Sequence, residues 1–95
     1  MANLTITYIV KRTAAHTEPY DERKLYASIY AACLSIRTPT GEAELTAARI
    51  CQDIAPWLNQ KTEVTSFDIR RKAAEHLALY NPDAAYMYLR HRIIW

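Results

Sequence analysis

The sequence predicts an α+β fold that is mainly α, in which a four-helix bundle is capped by a small two- to three-stranded β-sheet. Two observations predict this fold. Four segments repeat apolar residues at the helical period of about 3.6, and three shorter segments are rich in β-branched side chains. The chain has 95 residues, of which 51% are hydrophobic and 23% charged, enough for one core without a metal or a disulfide. We therefore expect residues 1–95 to form a single domain.

The strands are predicted at the start of the chain and before the third helix. Residues 4–10 read Leu-Thr-Ile-Thr-Tyr-Ile-Val, which at first alternates apolar with hydroxyl side chains and so favours a strand. A short return strand over residues 17–20 completes a predicted hairpin, and Glu63–Thr65 is a third β-prone segment beside it. Because a lone hairpin is marginally stable in water, we expect the strands to lie over one end of the helices.

The first helix is expected to begin after Asp21, whose carboxylate can accept hydrogen bonds from free N–H groups of the first turn. It should run to about Ser35, because Pro39 and the only glycine, Gly41, interrupt the helical pattern beyond it. Its buried face is predicted to consist of five residues: Leu25, Ile29, Ala32, Cys33 and Ile36.

The second helix follows this loop. Its predicted buried face consists of six residues: Leu45, Ala48, Cys51, Ile54, Ala55 and Leu58. Pro56 has no N–H, and its ring clashes with the preceding turn, so we expect it to kink or end the last turn.

The last two helices are predicted from their caps. Ser66 is the expected cap of a helix that begins at Phe67. Asn81, Pro82 and Asp83 supply an N-cap, a first-position proline and a first-turn acid for the final helix. The residues expected to face inward are Ile69, Ala73, Leu77 and Tyr80 on the third helix, and Tyr86, Leu89 and Ile93 on the fourth.

Composition and charge exclude several classes of protein. Twelve Lys and Arg against ten Asp and Glu give a net charge of +2, too small a field to indicate nucleic-acid binding. The N-terminus has no secretion-signal pattern and no apolar run approaches the ~20 residues of a membrane span, so we expect a cytoplasmic protein. Cys33 and Cys51 fall on apolar helix faces and are expected to be buried thiols.

The sequence gives no indication of catalysis. The hydroxyl and thiol side chains of the first helix have no histidine nearby, and one glycine cannot form a phosphate-binding Gly-rich loop. His16, His76 and His91 are scattered without metal-ligand spacing. We therefore expect neither an enzyme nor a resident metal or catalytic cofactor. The basic clusters at residues 70–72 and 90–92 are expected to be solvated helix faces. The alternative for the second cluster is that Arg90 or Arg92 closes an anion pocket from the last helix.

The first quarter of the chain does carry a pattern typical of a ligand site. Lys11 and Arg12 end the first strand, Glu18 and Asp21 lie just before the first helix, and Lys24 falls in its first turn. Lysine suits a phosphate as a point charge, and arginine can grip two oxygens. A carboxylate beside a polyphosphate would suit the uncharged, donor-bearing end of the ligand. A cation in the first helical turn is unfavourable unless an anion binds there.

The order Val-Lys-Arg, Glu-Pro-aromatic-Asp and then a first-turn Lys resembles the ATP-cone, a nucleotide-binding regulatory domain of ribonucleotide reductases and of their transcriptional repressor. The resemblance continues with Ser28-Ile29 and Ala32, with Val64-Thr65-Ser66 before Asp68-Ile69, and with the ending 85–90. It spans residues 9–95. One difference is the turn after Arg12. The family usually has Asp-Gly there, whereas residues 13–17 of this chain include no glycine, which predicts a wider turn.

The resemblance implies a role for each residue of the pattern. It implies that Lys11, Arg12 and Lys24 hold the phosphates of ATP or dATP with Mg²⁺, and that Glu18 and Asp21 meet the base. It also implies that Ser66 lies against the nucleotide, and that Ile9 and Val10 in the first strand belong to the same site.

The function implied is nucleotide sensing without hydrolysis. A ribonucleotide reductase or another regulated protein is the expected partner, and oligomerisation is expected to depend on the ligand. The alternative is structural: Lys11 and Arg12 as solvated edge charges, Asp21 and Ser66 as simple caps, and the domain as a degenerate cone that binds nucleic acid or another protein.

Overall fold

The computed structural model describes residues 8–10 and 17–90, and within these ranges the chain is mainly helical. The strands are β1 (Tyr8–Val10), β2 (Thr17–Pro19) and β3 (Glu63–Thr65). The helices are α1 (Glu22–Ser35), α2 (Thr40–Asn59), α3 (Ser66–Tyr80) and α4 (Pro82–Arg90). The prediction of four helices in a mainly α fold is confirmed. Residues 4–7, the turn after Arg12 and the predicted inward position of Ile93 lie outside the described residues.

The three strands form one sheet in the order β2-β1-β3. β1 pairs antiparallel with β2, so Tyr8 lies opposite Pro19 and Val10 opposite Thr17. β1 pairs in parallel with β3, so Val10 also lies opposite Thr65. Because β3 leads directly into α3, the carboxyl end of β1 lies beside the start of that helix.

Each of the four helices packs against two others. α1 packs against α2 and α4, and α3 packs against the same two helices. The apolar core lies between them and includes Leu25, Ile29, Ile50, Ile54, Ile69, Leu77 and Tyr88, all of which are fully buried. Burial of such side chains stabilises the fold by roughly 1.5–3 kcal/mol each. Among the described residues, no helix is both long and apolar enough to cross a membrane.

The first helix follows its prediction closely. Asp21 caps it, and four of its five predicted inward residues are buried, while Ile36 is partly buried against the core. The helix ends where Arg37 adopts a left-handed backbone with φ of 65°. This turn allows the Thr38 N–H to reach the carbonyl of Cys33 at 3.0 Å, which satisfies a carbonyl at the helix end.

The second helix does not end at Pro56 but continues to Asn59, so the structure excludes an end at the proline while the predicted kink stays a prediction. Both Pro56 and Gln52 are exposed, so the Gln52 carbonyl that loses its donor lies on the solvent side. The predicted buried face of this helix is wrong at two positions. Leu45 is 75% exposed, and Ala48 is also exposed. Their predicted places in the core are taken by residues one or two positions away: Ala43, Ala47 and Ile50, all of which are fully buried.

Three predicted inward residues on α3 and α4 are exposed instead: Tyr80, Tyr86 and Leu89. The Tyr86 ring lies on the surface beneath the Arg90 guanidinium, 5.0 Å from ring centroid to Cζ. The inward side of α4 carries Ala84, Ala85 and Tyr88. Two alanines let α4 approach its neighbours closely, and this places the larger ring of Tyr88 in the core.

Candidate functional site

The sheet register brings two of the predicted site segments together. Val10 pairs with Thr65, which immediately precedes Ser66, the first residue of α3. Ile9 is flanked by Glu18 on β2 and Val64 on β3. The backbone therefore gathers Ile9, Val10, Glu18 and Ser66 within one small sheet and the helix that follows it. Lys11 and Arg12 lie outside the described residues.

Asp21 and Lys24 lie at the start of α1. The Asp21 carboxylate accepts a hydrogen bond of 2.9 Å from the Arg23 backbone N–H, which caps the helix. It also pairs with the Arg23 guanidinium, with Nε to Oδ1 at 3.3 Å. The hydrogen bonds from Arg23, side chain first and backbone second, hold the pKa of Asp21 below its ordinary value. Asp21 is thus an ionised cap, and Lys24 is exposed one turn further along the helix.

The start of α3 differs from its prediction, because Thr65 rather than Ser66 is the cap. The Thr65 hydroxyl accepts from the Asp68 N–H at 2.9 Å, and the Asp68 carboxylate accepts from the Thr65 N–H at 3.3 Å. These two bonds form a reciprocal capping box. Ser66 becomes the first helical residue, half-buried, and its hydroxyl is not needed for capping. Sequence reasoning chose the wrong member of the Thr-Ser pair, although the acid three residues after Thr65 marks the cap.

A group of partly or fully buried polar side chains, which sequence reasoning missed, is linked by electrostatic interactions. It consists of Tyr20, Ser28, Cys51, Arg70 and Tyr88, and we call it the inner polar group. Tyr88 is 0% exposed, and its hydroxyl makes no well-formed hydrogen bond with any described residue. Nε of Arg70 is also shut off from solvent. Ser28 is buried and donates to the Leu25 carbonyl at 2.7 Å.

Burial dominates the chemistry of the inner polar group. It raises the pKa of the Cys51 thiol to about 12, with a smaller contribution from Glu22. Burial also raises the pKa of Tyr88 to about 12, although the nearby Ser28 hydroxyl and Arg70 guanidinium act in the opposite direction. The pKa of Tyr20 is raised too, mainly by burial and then by Cys51. All three groups are therefore neutral near pH 7, and the charged member of the inner polar group is the Arg70 guanidinium.

Two adjoining grooves lie on the surface, and the first of them reaches Cys51 of the inner polar group. One, of about 400 Å³, runs between α1 and α2 beside Arg23, Tyr26 and Cys51. The other, also about 400 Å³, is lined by Leu45, Arg49 and Tyr80. Of the predicted site residues whose side chains the structure describes, namely Asp21, Lys24 and Ser66, none lines either groove. In the part of the chain that the structure describes, no three His, Cys, Asp or Glu side chains converge as metal ligands would.

Comparisons of this chain with protein-family models, curated proteins and solved structures find no match. What the site can bind therefore has to be inferred from the residues of this chain. The described ones supply an exposed lysine in the first turn of α1, an ionised carboxylate before it, and a helix start beside the end of β1. Such an arrangement can bind an anion and, close to it, a hydrogen-bond donor.

Proposed function

We propose that this chain is a nucleotide-sensing domain of the ATP-cone type, with a four-helix bundle capped by its three-stranded sheet. It binds ATP or dATP together with Mg²⁺, does not hydrolyse the nucleotide, and controls the activity or association of a partner such as a ribonucleotide reductase. Lys11, Arg12 and Lys24 hold the phosphates, and Glu18 and Asp21 lie towards the base. Ile9, Val10 and Ser66 complete the site.

The main support is the parallel pairing of β1 with β3. This register sets Val10, the residue before Lys11 in the sequence, opposite Thr65 and thus beside Ser66 at the start of α3. Two segments separated by more than fifty residues in sequence are adjacent in space, and both belong to the motif pattern. A helix start carries free N–H groups and a partial positive charge, so this is a favourable place for a phosphate.

Binding itself would be the signal. The sheet is joined to α1 through residues 19–22 and to α3 through Thr65, and the proposed ligand contacts both junctions. A ligand that bridges the two favours one mutual arrangement of sheet and helices over another. Such a shift changes the exposed surface and gives ligand-dependent homo-oligomers, or association with a partner, a physical basis.

The second candidate is a degenerate cone that binds nucleic acid or another protein. The nucleic-acid version needs the basic cluster at residues 70–72 to form one surface. Arg70 instead has its Nε buried, and the Lys72 ammonium lies 5.8 Å from the centroid of the Trp57 ring. Arg71 is the member of this cluster that stays exposed. The protein-binding version is favoured by the exposed Leu45 and Tyr80 beside the second groove.

Calorimetric titration with ATP, dATP, ADP and GTP at physiological magnesium tests the proposal. We expect saturable binding of ATP or dATP, weaker binding of ADP because it has one phosphate fewer, and weaker binding of GTP. No heat with any adenine nucleotide, together with salt-sensitive binding of duplex DNA, would contradict the proposal and support the second candidate. Product analysis after prolonged incubation should find the bound triphosphate intact.

A further inference from the structure

We infer that two copies of this chain associate through the solvent side of α2, about a two-fold axis that runs along the helix over Ala48 and Gln52. We call this surface the α2 face, and its exposed members are Leu45, Ala48, Arg49 and Gln52. The proposed function includes association between copies but assigns no surface to it. The inference does not depend on nucleotide binding, because it concerns the two grooves that the described nucleotide-site residues do not line.

The α2 face carries apolar side chains that lie outside the core. Leu45 is 75% exposed, and Ala48 is exposed one turn further along the same helix. Tyr80 of α3, which is 47% exposed, borders this apolar surface on one side, and Tyr26 of α1 borders it on the other. Apolar surface with a polar rim is typical of a contact between proteins.

The two grooves lie on opposite sides of one ridge. Ala48 and Gln52 line both of them, and α2 packs between α1 and α3, which supply the outer walls. A half-turn about an axis along this ridge therefore sets the first groove of each copy against the second groove of the other. Every contact then occurs twice, as in a closed two-fold dimer. Ala48 lies on the axis, where its small side chain allows two helices to approach closely.

The shapes of the two grooves favour this arrangement. Leu45 lines the second groove and projects into solvent, so after the half-turn it faces the first groove of the other copy. That groove has a volume of about 400 Å³, and Tyr26, Ala48 and Cys51 are among its lining residues. A leucine side chain packed there is removed from water, and this burial stabilises the dimer.

Charge also distinguishes the two grooves. Among the described residues, Arg49 is the charged residue that lines the second groove, and its hydrogen bond to Asp53 engages Nε alone. The first groove is lined by Glu22 and Arg23, and Arg23 already pairs with Asp21. Glu22 is exposed and makes no ion pair with another described residue. The half-turn brings Arg49 of each copy towards Glu22 of the other, so the contact contains two opposite-charge pairs.

These charges favour a second copy over a partner of uniform charge. An acidic segment would suit Arg49 in the second groove but would meet Glu22 in the first, and a basic segment would meet the reverse. A second copy presents the opposite charge to each groove in turn. Like charges placed against each other disfavour an association, so the self-complementary pairing is the favoured one.

The experiment measures the oligomeric state of the full chain by sedimentation velocity over a concentration series, without and with ATP. We expect a reversible dimer that dissociates on dilution. Ala48→Glu places two like charges on the axis and should weaken the association at least about 100-fold. Ala78→Glu is the matched control, because Ala78 is an exposed alanine of α3 that lines neither groove, and it should associate like the wild type.

Charge reversal tests the pairing itself. Glu22→Arg and Arg49→Glu should each weaken the association about tenfold or more, since each change puts like charges at both contacts. An equimolar mixture of the two variants should associate like the wild type, because every contact between unlike copies then joins opposite charges. Ala48→Cys, which keeps the groove charges, should form a disulfide-linked dimer under mild oxidation, and Ala78→Cys should not.

A monomer at every concentration in both conditions would overturn the inference. So would a dimer that Ala48→Glu leaves intact, because the contact would then lie elsewhere. ATP binding by a chain that stays monomeric would leave the proposed nucleotide site standing without this surface. A dimer that Ala48→Glu disrupts, in a chain that binds no ATP, would leave the surface standing without the nucleotide site.

Discussion

The hydroxyl of Tyr80 donates a hydrogen bond of 3.0 Å to Oδ2 of Asp53 and so ties the end of α3 to the middle of α2. Oδ1 of the same carboxylate accepts from Nε of Arg49 at 3.2 Å. The Arg49 guanidinium in turn lies over the Tyr80 ring, 5.6 Å from its centroid. Asp53 therefore organises a polar contact between α2 and α3.

Removal of the Tyr80 hydroxyl should weaken this contact. We expect Tyr80→Phe to lower the free energy of unfolding by about 0.5–1 kcal/mol, because one hydrogen bond to a charged acceptor is lost on a partly exposed surface. Urea denaturation measures this change in the free energy of unfolding. Tyr86→Phe is the control, since Tyr86 is also exposed, and it should change the stability by less than about 0.5 kcal/mol. Equal effects of the two substitutions would show that the bond to Asp53 contributes nothing.

The cap of α3 distinguishes two neighbouring hydroxyl residues. Thr65→Ala removes the acceptor for the Asp68 N–H and should cost about 1 kcal/mol. Ser66→Ala should cost little or nothing, because its hydroxyl has no capping role and alanine has the higher helix propensity. Thermal unfolding of the two variants without nucleotide gives the comparison. A greater loss for Ser66→Ala would reverse the assignment of the cap.

Much of the fold is predictable from local patterns, and the misses share a physical cause. Asp21, Pro82 and the strand Glu63–Thr65 follow from local rules of capping and β-propensity. The inward face of α2 is predicted wrongly near its start because an apolar period that begins at Leu45 continues to Ala48, whereas Ala43, Ala47 and Ile50 keep the same period and are the residues that face the core. The inner polar group depends on residues far apart in sequence, such as Tyr20 and Tyr88, and no local pattern brings them together.

The corrected face of α2 can be tested with two leucines on that helix. Leu58 is 4% exposed and Leu45 is 75% exposed, although the apolar period alone places both in the core. Leu58→Ala should lower the free energy of unfolding by about 2–5 kcal/mol through lost burial and the cavity left behind. Leu45→Ala should change it by less than about 0.5 kcal/mol. Similar losses of unfolding free energy at the two positions, measured by urea denaturation, would support the face first predicted, which includes Leu45.

Alkaline pH should destabilise the protein through its buried thiol. The ordinary pKa of a cysteine is 9.0 and that of Cys51 is about 12, so the unfolded state loses this proton first as the pH rises. From about pH 9 to pH 12 the free energy of unfolding should fall by up to ~1.4 kcal/mol per pH unit for this one group. Tyr88, whose pKa is raised to about 12, adds to the fall above pH 10.

Urea denaturation at pH 8, 9 and 10 measures this dependence. Cys51→Ala lowers the stability at every pH by removing buried volume, so the slope with pH is the informative quantity. The slope between pH 9 and pH 10 should be shallower in Cys51→Ala than in the wild type. An unchanged slope would mean that the thiol titrates alike in the folded and unfolded chain.

Lys24 gives the most direct test of nucleotide sensing, because it is the described cation of the pattern and is exposed on the first turn of α1. Lys24→Ala should weaken ATP binding by about tenfold or more, since a charge-assisted contact to phosphate is lost. Without nucleotide its melting temperature should match the wild type, as an exposed substitution rarely changes stability by more than about 0.5 kcal/mol.

Lys61→Ala is the matched control. Lys61 is also exposed, but it lies after α2, where its ammonium is 5.8 Å from the centroid of the Trp57 ring. It should retain both ATP affinity and the rise in melting temperature that a ligand produces by binding the folded state alone. Loss of folding in Lys24→Ala would show that Lys24 has a structural role. Equal ATP affinities of the two variants would remove Lys24 from the site, because a phosphate bound at the start of α1 cannot be indifferent to a cation in the same turn.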